Sequence, residues 1–135
     1  MKVAFGTDER TPITDRVKEI VLGMGHELEV TAEDVDWPDV GRSVGEAVAG
    51  GGADRGIVCC WTGTGVSIAA NKVPGVRAAL CTDAETADGA RRWNDANVLA
   101  LSLRLLAPSL ADEIVSAFLV GTVDADEADV ISKVD

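Results

Sequence analysis

Tyrosine is absent from this 135-residue chain, phenylalanine occurs twice and histidine once. Cysteine is also scarce. Of three cysteines, two are adjacent, at Cys59 and Cys60, which makes a poor disulfide framework and points to a reducing, cytoplasmic setting. No second ligand cluster accompanies that pair, so a zinc site is not expected. Basic residues number 12 against 23 acidic ones, and a net charge of −11 argues against nucleic acid, whose phosphates require a basic face. No apolar run approaches the roughly 20 residues needed to cross a bilayer, and the opening MKVAFGTDER reads as a first strand rather than a signal peptide. A soluble protein is expected.

What remains is enough for one domain. Hydrophobic content of 47% in a chain of this length supports a single core, so 1–135 is read as one domain. Segment 122–135 is left as either a short final helix or a mobile tail, because its periodicity is weak.

The densest signal is GIVCCWTGTGVSIAANK, from Gly56 to Lys72, where an apolar run ends at a cysteine and breaks into a glycine-rich turn before a helix-like segment. The order sets a thiol, Cys60, beside free backbone amides. The first amides of a helix lack intrahelical partners, and the helix dipole favours an anion there. A thiol in that field ionises more easily than a free one. A base or nucleophile and an oxyanion clamp thus fall within a few residues. A strand, glycine turn and helix is also the ordinary joint of any α/β domain. The glycines at 63 and 65 complete neither GxGxxG nor a P-loop.

Strand-like runs at 2–6, 27–31, 54–60, 76–81 and 97–101 alternate with helix-like runs at 13–25, 39–51, 66–72, 84–93 and 108–120. This alternation predicts an α/β fold, a Rossmann-like three-layer sandwich around a parallel five-stranded sheet. Ile13, Val17, Ile20, Val21 and Met24 recur at helical spacing, and Gly25 ends that helix. The runs 56–60 and 76–81 are apolar on both parities, which suggests two central strands. In such sheets ligands bind beyond the carboxyl ends of the strands. Those ends are Gly6-Thr7-Asp8, Cys60 to Gly65, Thr82-Asp83 and Ser102 to Arg104.

GTD at 6–8, VDWPD at 35–39, ADRGIVCCWTGTGVSIAANKVPGVRAALC at 53–81, NDANVLAL at 94–101 and Arg104 together resemble the family of type B ribose-5-phosphate isomerases and galactose-6-phosphate isomerase subunits. The resemblance implies an aldose-ketose isomerase working through a cis-enediolate without metal or cofactor. It implies Cys60 as base and the amides of Trp61, Thr62, Gly63, Thr64 and Gly65 as the oxyanion clamp. Asp8 and Asn94 match positions that contact sugar hydroxyls, Thr62 a position near the ring oxygen, and Arg104 a phosphate-binding arginine. Arg91 matches a common family arginine, and Arg10 lies close to the expected phosphate end. Sites of this family lie between subunits, so a homodimer or dimer of dimers is implied.

The chain departs from the family pattern in one direction. Glu9 stands where the family has histidine, Trp93 where it has the histidine that assists ring opening, and Trp61 where it has glycine. The C-terminal arginines are replaced by DADEADVISKVD. His26 lies in a turn expected at the far end of the sheet and reads as structural, so Asp8, Thr62 or Asp95 would have to assist ring opening. Trp61 either stacks on a sugar or plugs the pocket, and Trp37 is part of a turn or of the pocket wall. Cys59 points away from Cys60 by strand alternation and reads as core, as does Cys81. A substrate shifted from ribose 5-phosphate is the natural inference. Two other functions stay open: a non-catalytic sugar-binding module or partner subunit, and an enzyme using the same loop for epimerisation.

Overall fold

The computed structural model describes residues 1–135, and its core is built on the alternation of side chains along five parallel strands. These are β1 (Lys2–Thr7), β2 (Glu27–Glu33), β3 (Arg55–Cys60), β4 (Ala78–Leu80) and β5 (Val98–Ser102), in spatial order β2-β1-β3-β5-β4. Between and after them lie α1 (Pro12–Gly23), α2 (Trp37–Ala49), α3 (Thr64–Asn71), α4 (Ala84–Asn94), α5 (Pro108–Val120) and a last turn, α6 (Ala128–Ile131). The protein is an α/β three-layer sandwich.

Odd and even strand positions carry different sizes of side chain. Val3, Phe5, Ile57, Cys59, Leu99 and Leu101 face α1, α4 and α5, where they meet Val17, Val21, Ile114 and Phe118. Ala4, Val58, Cys60, Val98 and Ala100 face α2 and α3, against Val40, Val44, Val66 and Ala70. The smaller second face lets its helices sit close to the sheet and to each other. A Cβ on Gly41 of α2 would lie 2.5 Å from the Cβ of Ala69 and 2.7 Å from the backbone nitrogen of Ala70 on α3. Only a glycine admits that approach.

Local chemistry sets the boundaries. Thr11 caps α1 in a reciprocal box with Thr14, and Pro12 occupies the first turn. At the other end Gly25 adopts φ +85°, with Gly25 N–H donating to Leu22 and His26 N–H to Val21, a Schellman closure. Helix α2 begins at Trp37, ahead of the expected start, because Pro38 opens its first turn.

The run 76–81 corrects one expectation. It is not a central strand but the sheet's edge, and only Ala78–Leu80 pair with β5. Apolar residues on both parities report cover on two faces, which helices give to an edge strand as readily as to a central one. The opposite edge, β2, carries Glu27, Glu29 and Glu33, charges that discourage pairing with another chain. Segment 122–135 forms a 3-10 turn at Ala125–Glu127 and then α6, held by Asp124 to Arg92 and by Asp135 to Arg77.

Candidate active site

Strand order reverses direction beside β1 and β3, and the crevice beyond their carboxyl ends is the switch point of the sheet. Asp8 leaves β1 there and Cys60 ends β3. The two strands stay joined past their ends, since Asp8 N–H donates to the Cys59 carbonyl at 3.2 Å. On the other side, Leu103 N–H donates to the Cys60 carbonyl, while Arg104 N–H and the Ser102 hydroxyl both donate to the Trp61 carbonyl. Cys60 is therefore fixed from both flanks.

Past Trp61 the chain turns sharply into α3. Gly63 makes the turn at φ +77°, and a Cβ there would also lie 2.5 Å from Leu80. No side chain caps this helix, and the amides of Thr62 to Val66 donate to no acceptor of the chain. The hydroxyls of Thr62 and Thr64 bond each other at 2.7 Å. The result is a cradle of free N–H groups at a helix amino end, the arrangement that favours an anion.

Asp8, Trp37, Cys60, Trp61, Thr62, Thr64, Gly65 and Ile68 line one pocket of about 380 Å³. Cys60 is 4% exposed, and it faces the second core cluster while Cys59 faces the first, as strand alternation requires. Burial pushes the Cys59 thiol far up and the Cys81 thiol to about 11, so both are inert core groups. One oxygen of Asp8, Oδ1, is buried without a partner, and desolvation raises this carboxyl above its ordinary range, with the charge of Glu9 adding to the shift. Trp61 is 64% exposed and plugs nothing; it stands as one wall of the pocket. Trp37 proves to be both the first residue of α2 and another wall, its indole lying over Gly65.

The remaining expected site residues are elsewhere. Trp93 and Asn94 close α4, whose end lies at the edge of the sheet where β4 and β5 begin. About 16 Å of strand, at some 3.3 Å per residue, separates that edge from Cys60. His26 sits at the same remote edge, beside the N-terminal amine at 3.2 Å. Arg91 is 3% exposed and spends its guanidinium on Asp95 and on the carbonyls of Ala96 and Gly121. Asp95 is held as well by Arg77 and lies far from the pocket. Arg10 is bound to Asp15 at 3.0 Å, whereas Arg104 is exposed and has no ion-pair partner. Sequence reasoning missed Ile68, an exposed apolar residue of α3 in the pocket wall; its only signal is an isoleucine at a solvent-facing helical position. No three of His, Cys, Asp and Glu converge where they could hold a metal ion. No helix is long and apolar enough to cross a membrane.

A parallel sheet with a thiol, an unpaired carboxyl oxygen and a free helix amino end at its switch point defines an α/β domain equipped to handle a small polar ligand. The chain belongs to the Ribose/Galactose Isomerase family, whose description matches residues 3–134. It is 46% identical over 123 residues to the ribose-5-phosphate isomerase B of Escherichia coli, covering 87% of this chain and 83% of that protein. To the D-erythrulose-4-phosphate isomerase of Pectobacterium atrosepticum it is 38% identical over 125 residues, covering 88% and 82%. The solved ribose-5-phosphate isomerase B of Clostridium thermocellum superposes with a TM-score of 0.92 at 40% identity, over 99% of this chain and 95% of that one.

Proposed function

We propose that the protein interconverts an aldose and a ketose, a sugar phosphate or a related sugar, through a cis-enediolate formed over Cys60. The observation that carries this reading is the meeting in one pocket of Cys60, Asp8 and the residues Thr62, Thr64 and Gly65, whose amides are unpartnered. Cys60, as thiolate, takes the proton from the carbon beside the carbonyl. The electron pair of that C–H bond becomes the enediolate double bond, and the carbonyl oxygen becomes an oxyanion. Amides of the 61–65 loop hold it, a role such preorganised donors fill in place of water. The thiol then returns the proton to the neighbouring carbon on the same face. Asp8 and Thr62 stand beside the oxygens whose hydroxyl proton must move. A carboxyl raised by desolvation keeps its proton closer to neutrality than an ordinary one, which suits Asp8 to that exchange and to ring opening without histidine.

Asn94 and Trp93 reach such a pocket only from a second copy of the chain, since their own edge of the sheet is the remote one. This supports a homodimer with sites between subunits. Of the three arginines expected at a phosphate, Arg104 alone has no carboxylate partner, Arg10 being held by Asp15 and Arg91 by Asp95, which supports a substrate shifted from ribose 5-phosphate.

The experiment is steady-state turnover over a panel of pentose, hexose and tetrose sugars and their phosphates. Cys60→Ser is expected to lose about 10²–10⁴-fold in kcat, the span of a general base, while Cys59→Ser keeps most of it. Equal turnover by Cys60→Ser and wild type would remove the thiol from the reaction. Saturable binding without turnover of any sugar would favour a sugar-binding module.

A further inference from the structure

Beyond the indole of Trp61, the Cys60 pocket adjoins a second cleft of about 450 Å³ that opens between the first turns of α1 and α5. Trp61 is a wall of both. The other apolar walls of the cleft are Pro12, Ile13, Leu103, Leu106 and Pro108, and Glu9 and Thr11 complete it. Two free charges of opposite sign stand here. Glu9 is bonded only through its main-chain carbonyl, by the Thr7 hydroxyl, and its carboxylate has no ion-pair partner. Arg104 lies in the chain between the walls Leu103 and Leu106, exposed and likewise unpaired.

An anion is favoured on the Arg104 side. No side chain caps α5, and the amides of Ser109 and Leu110 donate to no acceptor of the chain, so the amino end of this helix adds its donors to the guanidinium. Other cations nearby are engaged, Arg10 with Asp15, Arg16 with Asp112 and Lys18 with Glu33. A phosphate held by Arg104 has Glu9 as its neighbour across the cleft. An ionised carboxylate only accepts hydrogen bonds, and a bond from a hydroxyl to it is strengthened by the charge. A phosphate ester that places a hydroxyl toward Glu9 satisfies both groups. One that lacks the hydroxyl leaves two like charges facing each other with nothing between them. A carboxylate in this position therefore selects among phosphate esters rather than tightening the hold on all of them.

We infer that Glu9 determines specificity at the phosphate end of the substrate: it accepts a hydrogen bond from the hydroxyl on the carbon next to the phosphate-bearing one, while Arg104 takes the phosphate and the Trp61 indole lies along the C–H face between them and Cys60. This choice also selects the form of the sugar. In the furanose ring of a pentose 5-phosphate that oxygen closes the ring and has no proton to give, so Glu9 takes the open-chain form. A tetrose 4-phosphate cannot close a furanose ring, because the oxygen that would close it bears the phosphate, and its hydroxyl is always free. Open-chain sugar phosphates, the four-carbon ones foremost, are the class this cleft fits. The inference deepens the isomerase reading and rests on it for the direction in which the sugar lies.

Alditol phosphates have no carbonyl, cannot cyclise through one and undergo no turnover, so their binding reads the cleft alone. The terminal phosphates of a tetritol and a pentitol are titrated by calorimetry beside analogues that lack only the hydroxyl next to the phosphate-bearing carbon, with wild type, Glu9→Ala and Arg104→Gln, and backbone ¹H–¹⁵N spectra confirm that both variants are folded. Wild type is expected to bind the hydroxylated ester about tenfold or more tightly than its deoxy analogue, the worth of a hydrogen bond to a charged group. Glu9→Ala should bring the two together by binding the deoxy analogue more tightly, and Arg104→Gln should weaken both alike. Equal affinities in wild type, a preference that survives Glu9→Ala, or no binding of any alditol phosphate overturns the inference. Uptake of solvent deuterium into sugar phosphates without this preference would remove the inference and leave the isomerase reading standing, whereas the preference without uptake would do the reverse.

Discussion

Asp8 holds a carboxylate oxygen away from water with nothing in the chain to bond it, an arrangement that costs folding free energy. Because desolvation raises the folded pKa above the unfolded one, the ionised form is disfavoured in the fold. That penalty is full above the folded pKa, shrinks as pH falls through it, and vanishes below the unfolded value. Asp8→Asn should therefore raise the thermal midpoint at pH 7 and change it little near pH 3. The same variant should lose turnover, because in the proposed reaction the carboxyl that burdens the fold is the one that meets the sugar. Thermal unfolding at the two pH values, beside a turnover assay, checks both halves. A lower midpoint at pH 7 would mean that Asp8 supports the fold rather than burdens it.

Among the elements, α3 positions the site, and its place depends on the bare face of α2. Gly41→Ala sets a methyl where Ala69 and the Ala70 backbone already stand, within 2.8 Å of three atoms, so the helices must part. Overpacking of this kind costs about 1–3 kcal/mol. The shift is transmitted to the amino end of α3 and to Trp37 over Gly65, so turnover should fall with the unfolding midpoint in denaturant titration. Unchanged stability would show that α2 and α3 have slack between them. Much of this scale is legible in the chain: helical spacing in Ile13 to Met24, glycines at the turns, and the cysteine pair whose alternation separates a core thiol from a site thiol. The order of strands is not legible, because burial on two faces looks alike at 76–81 and at 56–60 while hydrogen bonding to a neighbour leaves no mark on composition. Of the pocket residues, the run 60–65 was legible from its own order, and Asp8 only from its place at a strand end and from the family resemblance. Arg91 and Asp95 read as candidates by position, yet their partners Ala96, Gly121 and Arg77 come together only through the fold.

At the scale of the whole molecule, the expected site residues divide between two edges of one sheet. Asp8, Cys60 and the 61–65 loop occupy the carboxyl edge, while Trp93 and Asn94 occupy the other. In the proposed dimer a second copy of the chain joins them, so specific activity should fall on dilution below the dimer dissociation constant. Sedimentation velocity across the same concentrations should show the dimer giving way to monomer. A fully active monomer would place Trp93 and Asn94 outside the reaction. The acidity of the chain, −11 overall, acts on the same scale by disfavouring dianionic ligands except where local donors receive them. Whether Cys60 moves a proton on the carbon beside a sugar carbonyl can be read without coupling to any later step, by NMR-detected uptake of solvent deuterium into that carbon with wild type and with Cys60→Ser. Label is expected in at least one sugar or sugar phosphate with wild type and none above background with the variant. Label that persists in Cys60→Ser, or its absence from every sugar with the wild type, would mean that the thiol is not the base.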